Sequence, residues 1–358
     1  MEERRLGIWG KYLTLWVALC IGAGTVLGRV FPQLSDILAE LEVAHISIPI
    51  AICLFAMIYP IMVQISFEEI KRATRSPKPI ALTLFANWVV KPFTMALFAW
   101  LFLSLLFGRF LMPEQIQEYR AGLILLGVAP CTAMVLMWSY LARGNMGHTL
   151  VMTAINSLTM VILYAPLAML LLGISGIRVP WETIALSVAI YICTPLLAGY
   201  LTRSQVIKRK GLVWFNTNLV PILGKVSIIA LLVTLVVLFV YQGYLIIELP
   251  AIIGMISAGI LVNILVVFGV TYFVARMMHL TYEDAAPAAI IAGSNHFEVA
   301  IAVATTLFGL TSGAALATVV GVLTEVPFML MLVQLCKATQ NTFSRRISEN
   351  KATGARLP

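Results

Sequence analysis

The sequence predicts an all-α membrane protein: ten transmembrane helices in two inverted five-helix repeats, with broken helices four and nine crossing near the midplane. Three observations carry that reading. Of 358 residues, 61% are hydrophobic and 11% charged, where a soluble domain carries roughly 25% charged residues; the mean hydropathy is +0.97. Ten apolar windows recur along the chain, each near the ~20 residues a helix needs to cross a bilayer. Most of the 24 Lys and Arg gather at alternate window ends, the asymmetry expected when basic loops stay cytoplasmic.

The windows follow in order. The first, 12–31, comes after Arg4, Arg5 and Lys11; it is too long for a signal-peptide core and lacks a small-residue cleavage site, so it stays as a span. Window 46–65 leads to the basic loop Lys71, Arg72, Arg75 and Lys78. Window 80–107 holds Lys91 about eleven residues in, a depth where a cation wants a carboxylate; Glu298 and Glu325 are the available partners. Window 121–142 contains GVAPCTAMVL, and Arg143 follows it. Pro130 donates no amide hydrogen and its ring clashes with the Leu126 carbonyl, so this helix breaks there. Broken backbone at membrane depth survives only where protein buries it or it lines a cavity. Cys131, beside the break and ahead of the amides of Thr132 and Ala133, is the candidate ligand.

Window 148–173 carries Pro166, and the basic-poor loop near 174–181 divides the chain. Five spans on each side force the halves into opposite orientation, a plan common among secondary transporters. The expected units are 1–173, the inverted 174–340, and a disordered cytoplasmic tail, 341–358. Windows 182–202 and 219–241 flank Arg203 and Lys208–Lys210; window 250–276 ends at Arg276. Window 284–309 is interrupted at AGSNHFEVA, the counterpart of the fourth-span break. There Asn295 and Glu298, three apart, share a helical face, while His296 points elsewhere and is read as packing. Window 313–337 carries TEVP, with Glu325 at a depth where carboxylates mark ion or proton paths. VILYAPLAML (161–170) and GVLTEVPFML (321–330) echo each other across the halves.

Several classes are excluded. The formal charge of +8 lies in short loops and the tail, so it does not signal nucleic acid. Cys20, Cys53, Cys193 and Cys336 are scattered one to a window and read as packing, with no spacing suited to zinc or a disulfide. No cofactor motif is present. An intramembrane enzyme using Cys131 as nucleophile needs a base and an orienting group; the sole midspan histidine, His296, does not supply both. A sodium-coupled carrier wants several oxygen ligands, where the fourth-span run offers a thiol and Thr132.

Four stretches, NWVVKPF (87–93), GVAPCTAMVLMWSYLARGN (127–145), SNHFEVAIAVA (294–304) and GVLTEVPFMLMLV (321–333), together resemble the arsenical-resistance family of arsenite efflux permeases. That family belongs to the superfamily of bile-acid/sodium symporter-like carriers, and the likeness extends over nearly all the spans. One branch carries Arg immediately before the cysteine, where this chain has Pro130. The resemblance implies extrusion of arsenite, and of antimonite, from the cytoplasm in exchange for protons, in a multi-pass cell-membrane protein with both termini cytoplasmic. It implies Cys131 as the As(III) ligand and Glu325 as the proton-coupling acid. Asn295, Glu298, Lys91 and Pro130 are expected to line or support the cavity. The alternative within the superfamily is a sodium-coupled symporter of organic anions.

Overall fold

The computed structural model describes residues 13–31, 33, 42–43, 46–65, 77–132 and 134–343. Arg4, Arg5, Lys11, Lys71, Arg72, Arg75, His45, Ala133 and the tail beyond 343 lie outside the described residues. Each apolar window falls on helix. Helix α1 is Leu13–Val30 and α2 is Ile48–Gln64, preceded by a two-residue hairpin of β1 (Glu42–Val43) and β2 (Ile46–Ser47). Next come α3 (Pro77–Leu106), α4 (Pro113–Val128), α5 (Met134–Leu141) and α6 (Met146–Ile174). Then follow α7 (181–214), α8 (Val220–Glu248), α9 (Pro250–Met277), α10 (Tyr282–Gly293), α11 (Phe297–Phe308) and α12 (Gly313–Thr339). Window four is thus split into α4 and α5, and window nine into α10 and α11.

Two other windows are less separate than their composition suggests. The stretch Trp181–Tyr241 runs as one helical path through α7 and into α8, bending at Gly211 (φ 82°, ψ 163°). That positive φ is open to glycine at no steric cost. Among the described residues, five helical stretches are long and apolar enough to cross a membrane.

Helix α3 shows how sequence sets a face. Wide π turns at Ala86–Val90 and Trp100–Leu106 interrupt it, stretching the repeat beyond the usual 3.6 residues. Every fourth residue from Thr83 through Asn87, Lys91, Met95 and Ala99 to Leu103 is buried, while Phe85, Val89, Phe93 and Leu97 face outward. One apolar stripe is left for lipid and one mixed stripe turns inward.

The helices pack in two groups. Helices α1, α2, α7 and α8 lie against one another, and α3–α6 with α9–α12 form the second group. Gly28 lets α1 approach α8 closely, since a Cβ there would sit 2.3 Å from the Val240 carbonyl oxygen. Such close backbone approach is how membrane helices gain packing when lipid supplies no hydrophobic drive. Helix α12 passes Pro327 without interruption and is largely buried. Beyond it, a turn at Gln340–Thr342 tucks Phe343 against Tyr272 and Tyr282, so this part of the expected tail is packed.

Candidate functional site at the crossing of two broken helices

Helix α4 ends at Val128, where Ala129 turns extended (φ −93°, ψ 105°) and Pro130 offers no amide to continue. Helix α10 ends at Gly293, and Ser294 is likewise extended (φ −90°, ψ 151°). The two extended segments meet. Pro130 and Asn295 pair as an antiparallel bridge, and the His296 amide donates to the Ala129 carbonyl at 2.9 Å. Each break thus satisfies part of the other's exposed backbone, the requirement for non-helical chain away from water.

Two charged side chains complete the accounting. Lys91, fully buried, donates from Nζ to the Ser294 carbonyl at 2.8 Å and to the Ala129 carbonyl at 3.4 Å. Glu325 accepts from the Ser294 hydroxyl, from the Asn295 amide at 3.0 and 3.2 Å, and from Asn295 Nδ2 at 3.1 Å. The second break is therefore held at its carbonyl by a cation and at its amide by an anion. Burying either charge alone would be costly. Lys91 lies within electrostatic reach of both Glu325 and Cys131.

Cys131 is buried at the first break, its thiol against the Ser294 hydroxyl and the Val135 amide. The adjacent Thr132 hydroxyl, equally buried, has no hydrogen-bond partner, and neither has Asn295 Oδ1. An unmade hydrogen bond in the interior costs about 1–3 kcal/mol, so these atoms mark where a polar ligand would be welcome. Among the described residues, no three His, Cys, Asp or Glu side chains converge as a metal-holding group.

Glu298 sits in the first turn of α11 and lies 2.8 Å from His296 Nδ1, with both groups buried. The contact is close but poorly aligned, and the His296 ring nitrogens lack a hydrogen-bonded partner. Glu298 also reaches a cavity of about 150 Å³ lined by Met57, Gln64, Met134, Met137 and Leu231. This cavity opens between the two helix groups and ends one helical turn from the break.

The structure brings Pro130, Cys131, Asn295, Lys91 and Glu325 together at one crossing, with Glu298 on its flank. Three local expectations need correction. Lys91 meets backbone carbonyls rather than a carboxylate, because the breaks free those carbonyls. Asn295 and Glu298 share no helical face, because α11 begins only at Phe297; Asn295 turns to Glu325, and Glu298 pairs with His296. The helix after Pro130 restarts at Met134, so Val135, not Thr132, presents its amide to the sulfur. Ser294 was not singled out from the sequence, although it touches Lys91, Glu325 and Cys131. Its signal was the small-polar run Gly293–Ser294–Asn295 at the interruption.

Residues 51–249 match the model of the Sodium Bile acid symporter family. An uncharacterized transporter of Synechocystis sp. is 52% identical over 349 residues, covering 95% of this chain and 91% of the relative. The arsenical-resistance protein Acr3 of Alkaliphilus metalliredigens is 41% identical over 350 residues, 98% of each chain. The Acr3 protein of Corynebacterium glutamicum is 34% identical over 341 residues, covering 93% of this chain and 90% of that one.

Proposed function

This chain belongs to the Sodium Bile acid symporter family and groups within it with the Acr3 arsenical-resistance proteins; it is a multi-pass membrane transporter, not an enzyme, and on that premise we propose that it extrudes arsenite from the cytoplasm by proton antiport. The observation that carries the substrate reading is the buried thiol of Cys131 at a crossing where two polar atoms, Thr132 Oγ1 and Asn295 Oδ1, are unpartnered. Trivalent arsenic travels as the neutral hydroxide near neutral pH. A thiol displaces one hydroxide to form an S–As bond, the thiol proton leaving with that hydroxide as water. The two remaining hydroxyls are the kind of groups that satisfy orphaned buried oxygens. A soft sulfur selects a soft centre over the hard ions of the cytoplasm. One sulfur allows release, where three would trap the cargo. Antimonite shares this chemistry and is expected to be carried.

The proton belongs to Glu325 in this reading. Its carboxylate is an acceptor in all four of its contacts, so protonation removes an acceptor site and loosens the second break. That coupling gives the proton a differential effect on two conformations, the condition for driving a transport cycle. Glu298 is the second acid to test, because it and not Glu325 reaches the cavity. The halves 1–173 and 174–340 are taken as inverted repeats moving about this crossing, with both termini cytoplasmic.

The deciding experiment is arsenite accumulation in everted membrane vesicles under an imposed pH gradient. Gradient-driven uptake in the parent, lost in Cys131→Ser, is the expected result. Equal uptake by both proteins removes Cys131 from the site while leaving the carrier. No arsenite uptake under any gradient overturns the substrate, and sodium with organic anions becomes the reading to test. Glu325→Gln and Glu298→Gln in the same assay assign the proton: the coupled acid is the one whose loss abolishes acceleration by the gradient.

A further inference from the structure

Two fully buried asparagines lie away from the thiol, and neither has a partner for either polar atom of its side chain. They are Asn87 in the first π turn of α3 and Asn156 in α6. Four orphaned amide positions on two neighbouring helices call for a partner that the protein itself does not supply. Their placement is the informative part. Helices α3 and α6 run side by side in the same direction, fixed by two side-chain contacts. Thr83 Oγ1 donates to Met152 Sδ at 3.2 Å, across a sequence offset of 69 residues, and Trp88 Nε1 donates to Thr159 Oγ1 at 3.1 Å, across 71. Asn87 and Asn156 stand at that same offset of 69, each four residues past a member of the first contact. That offset sets them at the same level of the two neighbouring helices, and no hydrogen bond joins them.

Along α3 the pair sits between two other members of the buried stripe. Thr83 lies on one side, its one hydroxyl hydrogen shared between Met152 Sδ and the Pro79 carbonyl at 2.8 Å. Lys91 lies on the other, bonded to both breaks. Beyond Thr83 the helix reaches exposed Lys78 and its own beginning at Pro77. Polar groups thus recur every four residues from Thr83 through Asn87 to Lys91, and between the bonded Thr83 and Lys91 the asparagine has no protein hydrogen bond.

We propose that Asn87 and Asn156 form a water-binding site between α3 and α6, and that this site is the route by which the proton passes between the crossing and the Lys78 end of α3. Buried water is held where two to four polar partners converge; two carboxamides supply four N–H donors and two carbonyl acceptors. The carboxamides do not themselves carry the proton. They order the water, which accepts a proton on one side and gives one up on the other. The charged and titratable groups at the crossing end are Lys91, Glu325 and Cys131, with Glu298 and His296 on its flank, and Lys78 is at the other. The route rests on the proton-antiport reading, whereas the water site stands independently of it.

The test therefore has two readouts on the full-length protein in lipid nanodiscs and vesicles. The first is radiolytic hydroxyl labelling, in which a buried methionine oxidises only where ordered water adjoins it. Met152, one turn from Asn156, is expected to label several-fold faster in the parent than in Asn87→Leu/Asn156→Leu, while buried Met62, on α2 in the other helix group, stays unchanged as the control. The second is gradient-driven uptake of arsenite. It is expected to fall at least tenfold in the Leu pair, with arsenite exchange at equal pH retained, and to be largely preserved in Asn87→Ser/Asn156→Ser, which leaves room and hydroxyls for water. If the Leu pair does not accumulate in the membrane, the single Leu variants give the same comparison. Equal Met152 labelling in parent and Leu variants overturns the water site. Unaltered gradient-driven uptake in a variant that has lost labelling overturns the route. A parent with no gradient-driven uptake is a failure of proton antiport, recognised separately because the labelling still reads the site.

Discussion

Lys91 shows how one side chain's meaning changes when its surroundings are built. From sequence it is a cation at midplane depth, and burial is the right expectation. Its partners were not legible, because the Ala129 and Ser294 carbonyls are free only once both helices break and the two breaks meet. The same holds for Glu325, whose acceptors' partners come from a segment thirty residues upstream. Replacing Lys91 by Met keeps the stem's bulk but takes its bond from the Ser294 carbonyl, while Ala129 keeps the His296 amide, and leaves Glu325 without its compensating charge. Removing one member of a buried charge pair costs about 3–5 kcal/mol. The expected outcome is a marked fall in the thermal midpoint of detergent-purified Lys91→Met. In Lys91→Met/Glu325→Gln part of that loss returns, because no lone buried charge remains. Strict additivity across this double-mutant cycle would show that the two residues act separately.

At the scale of elements, the proline and glycine punctuation was informative and the helix period was not. Pro130 announced its break correctly, because a missing amide is a local property. Pro166 and Pro327 sit inside continuous helices, which shows that neighbouring helices decide whether a proline ends a span. The π turns of α3 left no mark in composition, yet they determine that Thr83, Asn87 and Lys91 fall on one stripe. Close helix approach is similarly visible only after packing. Gly28 has no special φ and looks like any membrane glycine, but the Val240 carbonyl fills the space a side chain would need. Gly28→Val is expected to separate α1 from α8 and destabilise the first helix group by about 1–3 kcal/mol, the usual cost of overpacking a tight contact. Thermal-shift midpoints would register it, and so would protease nicking of α1 in vesicles. An undiminished midpoint would mean that α1 docks elsewhere in the bilayer. A second inter-element tie lies at the far end of α10. Asp284 there accepts from Asn145 Nδ2 at 3.3 Å and lies 2.7 Å from His148 Nδ1, joining α10 to the start of α6. Asp284→Ala is expected to cost about 1–3 kcal/mol, with His148→Ala adding little once Asp284 is gone.

For the whole molecule, the question is which way the two halves face. Hydropathy supplied the segments because each must shed water along its length, and the alternation of basic loops supplied their direction. The orientation can be read at two exposed basic positions, one in a loop and one in a helix. Arg178 stands exposed in the link between α6 and α7, at the expected boundary of the repeats, and Lys208 stands exposed in the basic run of α7. If the halves are inverted with both termini inside, these positions lie on opposite faces of the membrane. Cysteine placed at Arg178 should then react with a membrane-impermeant maleimide in intact cells, and cysteine at Lys208 only in everted vesicles. Cys131 is buried, so it contributes little background, and the parent chain measures what remains. Labelling of both new cysteines from one side would break the five-plus-five division, because an odd number of crossings per half is what sets the halves antiparallel. Reversed labelling would keep the inverted plan but turn the carrier over. The Lys78 end of the α3 polar stripe would then face outward, and the proton entering through it would drive the same exchange from the opposite side.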